Sequence, residues 1–215
     1  MFANPFKTPT PATGQPSLVT RKVLNVGGNS KLIGIPAHFD SWIHHLLDIS
    51  PAGSPDLVCD ARQLQTLAPA AYDAVYCSHN LEHYLHHEAR KVVAGFLHVL
   101  RDDGFAQIKV PDMAQLIKLC VERNLDLDDM VYESPAGPIL ARDIFWGYGK
   151  EIETSGNDYY AHKTGFTPKS LTRFLEDGGF AEVFLDAAAT EGIEIGAIAF
   201  KRAGMNPHKA MLGIP

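Results

Sequence analysis

The amino-acid sequence predicts one open α/β sheet domain whose strands are covered by helices. Short runs such as residues 23–26 and 72–76 are apolar on both faces instead of alternating, which is typical of interior strands of a parallel sheet. Between His83 and Leu100 the apolar residues recur three and four positions apart, which indicates a helix. The chain has 215 residues, of which 46% are hydrophobic, so it is the size of one domain and can bury a core.

The strands are predicted from apolar runs that stop at glycine or at an acidic residue. Gly27-Gly28 stops the first run, and Asp48 and Asp60 end the second and third. In chain order, the predicted strands cover residues 23–26, 45–48, 56–60, 72–76, 105–110, 181–185 and 193–200.

Three helices are predicted between these strands. The first occupies part of 83–100 and ends at Asp102-Asp103-Gly104, and the second runs from about Met113 to Val121. The third begins at Thr167-Pro168, because threonine is a good N-cap and proline is favoured in the first turn. Gly178-Gly179 is expected to end it.

Three segments show no clear hydrophobic period. Residues 1–17 are rich in Pro, Thr and Ala and predict a flexible N-terminal arm, which leaves a homodimer contact open. The main domain is expected to span 18–202, and 203–215 to form a C-terminal tail. Residues 124–165 are rich in Gly, Pro and aromatic residues, and so long a loop is usually functional. We expect it to be an insertion that covers a substrate, with aromatic side chains such as Tyr159 and Tyr160 available to line the pocket.

Composition excludes several classes of protein. The net charge is -6 and no run of Lys or Arg occurs, so nucleic acid is not an expected partner. No stretch reaches the roughly 20 apolar residues that span a bilayer, and the polar start of the chain is unlike a signal peptide. The three cysteines are too few and too scattered for a disulfide framework. We therefore expect a cytoplasmic protein with reduced thiols.

Polar residues and glycines follow four of the predicted strands at their carboxyl ends. In open α/β sheets these ends form the ligand-binding edge. A glycine turn lets backbone approach a ligand, and a carboxylate at the end of the next strand can accept hydrogen bonds from a ribose diol. The residues at this edge are Gly27-Gly28-Asn29, Asp48, Asp60 and Ser78-His79-Asn80.

This order resembles the class I S-adenosylmethionine-dependent methyltransferases, especially the small type-11-like group, over most of residues 23–200. The segments that carry the resemblance are VLNVGG, LLDIS, DLVCDA, YDAVYCSHNLEHY, FLHVLRDDGFAQIKVPD and HKTGFTPKSLTRFLEDGGF. The resemblance implies a Rossmann-like, seven-stranded, mostly parallel sheet whose last strand is antiparallel. It also implies a methyltransferase that uses S-adenosylmethionine and releases S-adenosylhomocysteine. The resemblance does not choose the acceptor, and we expect a small-molecule or sugar-type acceptor because such molecules fit a pocket covered by an insertion.

The resemblance also implies roles for individual residues. Gly27, Gly28 and Asn29 would face the methionine part of the cofactor, Asp48 and Ile49 the ribose, Asp60 and Ala61 the adenine, and Ser78, His79 and Asn80 the sulfonium. This chain departs from the family's G-x-G-x-G loop, since Gly27-Gly28-Asn29-Ser30-Lys31 stands in its place. Fewer than 20 residues separate the first two strands, too few for the usual long helix.

Methyl transfer needs a general base only when the acceptor must lose a proton, and histidine suits that role at neutral pH. His79 is the first candidate, His83 the second and His162 the third. Three alternatives remain open: other sulfonium chemistry such as cyclisation or elimination, a non-catalytic S-adenosylmethionine-binding scaffold, and a zinc hydrolase. The last is suggested because His79-Asn80-Leu81-Glu82-His83 matches H-x-x-E-H, although a third protein ligand at a recognisable distance is missing, so no metal is expected.

Overall fold

The structure is a computed structural model that describes residues 20–134, 137–186 and 193–215. The predicted arm at 1–17 lies outside these residues. The strands are β1 Lys22–Val26, β2 Ile43–Asp48, β3 Leu57–Val58, β4 Tyr72–Ser78, β5 Leu100–Pro111, β6 Met130–Ser134, β7 Gly137–Leu140, β8 Glu182–Asp186 and β9 Glu194–Phe200. The α-helices are α1 His86–Val99, α2 Met113–Arg123, α3 Ala141–Trp146, α4 Gly149–Ser155 and α5 Pro168–Asp177.

Seven of the strands form one sheet in the order β3-β2-β1-β4-β5-β9-β8. Strands β1 to β5 pair in parallel, whereas β9 is antiparallel to both of its neighbours, β5 and β8. The sheet thus has six parallel strands and an antiparallel last strand, which confirms the predicted fold. The strand order reverses between the adjacent strands β1 and β4, so ligands are expected beyond the carboxyl ends of these two strands.

Both faces of the sheet are buried, which explains why its strands are apolar on both sides. In β4, Val75 and Cys77 belong to one core cluster with Phe96 of α1. Ala74 and Tyr76, which alternate with them along the strand, belong to a second cluster on the opposite face. Because successive strand residues point to opposite faces, an alternating polar pattern would have left one layer of the fold without a core.

Most predicted boundaries are confirmed, and the differences are local. Helix α5 begins at Pro168, and the Thr167 hydroxyl accepts a hydrogen bond from the Ser170 N–H at 3.2 Å. Strand β3 is only two residues long. The prediction that the first helix ends at Asp102-Asp103-Gly104 was wrong, because α1 ends at Val99 and β5 already begins at Leu100. These residues lie in β5 where its register against β4 shifts, and a bulge of this kind leaves no apolar pattern.

The segment 124–165, predicted as an irregular insertion, contains regular structure. Strands β6 and β7 form an antiparallel hairpin, and helices α3 and α4 follow it. Val131, Ala141 and Ile144 bury a small separate core against Leu116 of α2. Elements of four to seven residues are too short to show a period in the sequence, which is why the prediction missed them.

Residues 203–215, predicted as a tail, pack against the sheet. His208 is 2% exposed and its ring lies beside Trp42 and Phe105. Lys209 Nζ bonds Glu182 of β8 at 2.8 Å. The segment therefore covers part of the second core cluster. Across 20–134, 137–186 and 193–215, no helix has the length and apolar character needed to cross a membrane.

Candidate functional site

A cleft of about 520 Å³ opens at the carboxyl ends of β1, β2 and β4. It lies where the strand order reverses, as predicted for the ligand-binding edge. Two of the predicted site residues, Ala61 and His162, do not line it. Ala61 is buried in the core, with 2% of its surface exposed. The predicted residues that do line it are Gly27, Gly28, Asn29, Asp48, Ile49, Asp60, Ser78, His79, Asn80 and His83.

The turn after β1 needs its two glycines. Gly27 has φ +72°, and a Cβ there would collide with the side-chain amide of Asn80. A Cβ on Gly28 would collide with the side chain of Asn25, which is buried in β1. Glycine therefore lets Asn80 and Asn25 pack directly against the backbone of this turn, and the turn itself lines the cleft. From Gly27 to the start of β2 the only regular element is the 3₁₀ turn Ala37–Phe39, as expected from the short spacing.

Asp48 ends β2 and connects that strand to the glycine turn. Its side chain is largely buried, and its Oδ2 accepts a hydrogen bond from the Asn29 N–H at 2.9 Å. Its Oδ1 accepts one from the Ser50 N–H at 2.9 Å. A carboxylate oxygen has two lone pairs, so each oxygen can accept one more hydrogen bond from a ligand in the cleft.

Asp60, in contrast, is committed to Arg62. The Arg62 side chain donates to both carboxylate oxygens, with Nη2 at 2.5 Å from Oδ2, and the Arg62 N–H also bonds Oδ1. Burial raises the pKa of Asp60, but these hydrogen bonds outweigh it and hold the pKa below its usual value. Arg62 also bonds Glu88 of α1. The sequence offered no sign of this role of Arg62, because the two carboxylates that it joins, those of Asp60 and Glu88, come close to each other only in the fold.

His79 lies between two carboxylates. It has φ +48°, and its Nε2 lies 3.0 Å from Oε2 of Glu194 while its Nδ1 lies 3.5 Å from Oε1 of Glu82. Burial lowers the pKa of His79, but the two carboxylates outweigh it and raise the pKa to about 9. The imidazole is therefore charged at neutral pH and cannot accept a proton. The geometry argues against the prediction that His79 is a general base.

The other two candidate bases do not direct a free nitrogen at the cleft. The ring nitrogens of His83 lie 3.2 Å from the Ala161 carbonyl oxygen and 3.1 Å from that of His79. The His162 Nδ1 lies 2.8 Å from the Ile144 carbonyl oxygen. Its Nε2 lies 4.0 Å from Oε1 of the buried Glu82, and its ring packs on His83 at 5.0 Å.

The H-x-x-E-H alternative is wrong in its geometry, because the motif does not form an α-helix. Residues Leu81–His83 form a 3₁₀ turn, His79 is left-handed, and α1 begins only at His86. His79 and His83 are therefore not stacked one helical turn apart, as a zinc-protease motif requires. The metal-ligating groups that converge are instead Glu82, His83 and His162, whose ligand atoms all lie within 4.8 Å of one another.

The predicted insertion supplies one wall of the cleft. Asp158, Tyr159 and Tyr160 line it, and so does Lys163, whose Nζ bonds Asp158 at 2.9 Å. The backbone N–H of Lys163 bonds the Glu82 carbonyl oxygen at 2.8 Å, which ties this wall to the turn after β4. The aromatic composition of the segment was the signal in the sequence for this wall, whereas Asp158 carried none.

Comparison with known proteins identifies the fold. No protein-family model matches the sequence, and no curated protein gives a significant match. A SAM-dependent methyltransferase from Archaeoglobus fulgidus superposes with a TM-score of 0.54 at 15% identity, over 84% of this chain and 86% of that one. The PH0226 protein from Pyrococcus horikoshii OT3 gives 0.54 at 13% identity, over 86% and 84%.

An O-methyltransferase family protein from Burkholderia thailandensis gives a TM-score of 0.51 at 13% identity. The match covers 87% of this chain but only 52% of that protein, so this chain corresponds to about half of it. Similarity at these identities establishes a shared fold. The chain, with its seven-stranded sheet, thus shares the fold of the Archaeoglobus methyltransferase, as the resemblance implied.

Proposed function

We propose that the protein is an S-adenosylmethionine-dependent methyltransferase that acts on a small-molecule acceptor. The observation that carries this proposal is the position of Asp48. It lies at the carboxyl end of β2, bonded to the glycine turn after β1, in the cleft where the strand order reverses. Carboxylates at this position bind ribose hydroxyls in dinucleotide-binding sheets, and Asp48 keeps one acceptor site on each oxygen.

The residues around Asp48 fit the rest of such a cofactor. S-adenosylmethionine, when bound, supplies a methyl group activated by a sulfonium. Gly27 and Gly28 line the cleft, and the side chains of Asn80 and Asn25 occupy the space that a Cβ on either glycine would need, so these two residues offer a ligand only backbone atoms. Ser78 ends β4 and Asn80 lies two residues beyond it, and both line the same cleft. The cleft of about 520 Å³ is within the usual range for a small-molecule site.

The side chains of the cleft favour catalysis by alignment and exclusion of water. His79 is charged at neutral pH, and both nitrogens of His83 face carbonyl oxygens. Tyr159 and Tyr160 provide an aromatic wall that can hold a small or sugar-type acceptor against the cofactor. Such positioning contributes several kcal/mol to in-line displacements in general, about 7–11 kcal/mol in the most favourable cases.

Calorimetric titration of the purified protein with S-adenosylmethionine and S-adenosylhomocysteine tests the cofactor site. We expect a dissociation constant in the micromolar range for at least one of them. NAD is the control, because other Rossmann-like sheets bind dinucleotides at the same edge. A folded protein that binds neither sulfur compound, or that binds NAD more tightly, would overturn the proposal.

The reaction is tested separately with donor that carries an isotopically labelled methyl group and with mixtures of small acceptors. Mass spectrometry should find the label in an acceptor and S-adenosylhomocysteine in equal amount. A rearranged donor formed without any acceptor would indicate cyclisation or elimination instead. Tight cofactor binding with no product from any mixture would indicate a binding scaffold.

A further inference from the structure

The most unusual group beside the cleft is the side chain of Glu82. It is 1% exposed, and neither of its carboxylate oxygens has a hydrogen-bond partner among the described residues. His79 Nδ1 at 3.5 Å and His162 Nε2 at 4.0 Å both approach the same oxygen, Oε1. The charged His79 ring compensates this carboxylate only in part and only at Oε1. A buried polar group without a partner costs about 1–3 kcal/mol and a charged one more, so the second oxygen, Oε2, still needs a partner.

The imidazole of His162 is oriented as a metal ligand usually is. His162 uses Nδ1 to donate to the Ile144 carbonyl oxygen at 2.8 Å, which leaves Nε2 as the nitrogen with a lone pair. This lone pair faces the Glu82 carboxylate, and two electron-rich atoms face each other stably only with a proton or a cation between them. Metal-bound histidines typically donate their other N–H to a backbone carbonyl in this way.

His83 also has a ring nitrogen whose lone pair faces another electron-rich atom. Its two ring nitrogens lie 3.2 Å and 3.1 Å from carbonyl oxygens, but a neutral imidazole has only one N–H to donate. The remaining nitrogen therefore points its lone pair at an acceptor. A cation bound by that nitrogen would remove the repulsion between its lone pair and the carbonyl oxygen. The other ring nitrogen would still donate its hydrogen bond to the second carbonyl oxygen.

We propose that Glu82, His83 and His162 bind one divalent transition-metal ion, with Zn²⁺ as the best-matched probe. Two imidazoles and one carboxylate form a common ligand set for zinc, with a further position open to water or another ligand. The ligand atoms lie within 4.8 Å of one another, and zinc would draw them to about 3.3 Å by side-chain rotation. His83 lines the cleft, so the ion would lie in the cleft wall.

Metal binding by the tag-free protein tests this proposal. The protein is stripped with a chelator and titrated with Zn²⁺ by calorimetry, and the bound metal is counted by mass spectrometry after dialysis. We expect one equivalent to bind with micromolar affinity or better. Bound Co²⁺ should give a visible absorption band typical of a low coordination number with nitrogen and oxygen ligands. Neither readout needs S-adenosylmethionine, so failure here is distinguishable from failure of the proposed function.

Three variants assign the site. Glu82→Gln and His162→Gln should each weaken Zn²⁺ binding at least 100-fold, and His162→Gln decides the matter if the buried Glu82→Gln variant does not fold. His87→Gln removes an exposed histidine of α1 and should leave binding unchanged. The proposal is overturned if the wild type binds no equivalent of Zn²⁺. Unchanged binding in His162→Gln would overturn it as well.

Discussion

The two sides of the cleft are built on different principles. On the side of β1 and β2, backbone N–H groups and one carboxylate meet over short distances in the chain, and Asn29 is 19 residues from Asp48. On the side of β4 and β5, charged side chains meet from distant segments, and His79 is 115 residues from Glu194. The first side offers free acceptor sites to a ligand, whereas most charges of the second side already neutralise one another. We infer that the first side, around Asp48, binds the ligand and that the second side, around His79 and Glu194, holds the walls of the cleft in place; we call them the binding side and the organising side.

The largest expected effect is on the binding side. Replacing Asp48 by Ala removes the acceptor sites that the ribose needs, and each hydrogen bond to a charged group is worth about 1.5–3 kcal/mol. We expect affinity for S-adenosylhomocysteine to fall by about 100-fold or more, as measured by calorimetry. Asp40→Asn removes an exposed carboxylate near the same strand and serves as the control. If Asp48→Ala and wild type had similar affinities for S-adenosylhomocysteine, Asp48 would not bind the ligand, and the inferred difference between the two sides of the cleft would be wrong.

The second prediction concerns the glycine turn on the same side. Gly27→Ala combines a left-handed φ with a collision against Asn80, so we expect a loss of about 2–3 kcal/mol in the free energy of unfolding. Gly156→Ala is the matched control, because it has φ +67° and no neighbour within 4 Å of an added Cβ. It should lose only about 1 kcal/mol. Urea unfolding measures both, and equal losses would show that close approach to Asn80 contributes nothing.

The same contrast explains how much of the molecule could be predicted from the sequence. The strands and the residues at their carboxyl ends, such as Asp48, were predictable because apolar runs and the glycines that stop them are local features. The pairing of His79 with Glu194 was not, since His79 follows β4, Glu194 begins β9 and the two are 115 residues apart in the chain. The commitment of Asp60 to Arg62 depends on a side-chain conformation, which leaves no pattern at all. The three histidines were found as candidates, but the groups around their rings, which the sequence does not show, leave none of them with a free nitrogen directed at the cleft.

The third prediction concerns the organising side. His79 and then Lys109 hold the pKa of Glu194 at about 2, below the usual value near 4.5, although burial opposes them. A depressed folded-state pKa gives stability that is complete above pH 4.5 and is lost as the pH falls toward 2. Glu194→Gln should therefore cost about 1–2 kcal/mol at pH 7, after allowance for screening, and much less at pH 3.

Urea unfolding of wild type and variant at both pH values measures this difference. Glu176→Gln, on the exposed face of α5, should show no such dependence on pH. A cost for Glu194→Gln that is the same at pH 7 and pH 3 would show that the ion pairs with His79 and Lys109 do not stabilise the fold.

The smallest expected effect separates two carboxylates that look equivalent in the sequence. Asp48 ends β2, whereas Asp60, predicted to end the third strand, lies two residues beyond β3, and the Arg62 side chain and backbone already occupy its acceptor sites. Asp60→Asn should therefore change the affinity for S-adenosylhomocysteine by less than about fivefold, or under 1 kcal/mol. Because the variant also weakens the ion pair with Arg62, its thermal stability is measured in parallel. A loss as large as that of Asp48→Ala, in a protein that melts normally, would mean that Arg62 turns away when the cofactor binds. Asp60 would then contact the ligand directly, and the binding side would extend from β2 to β3.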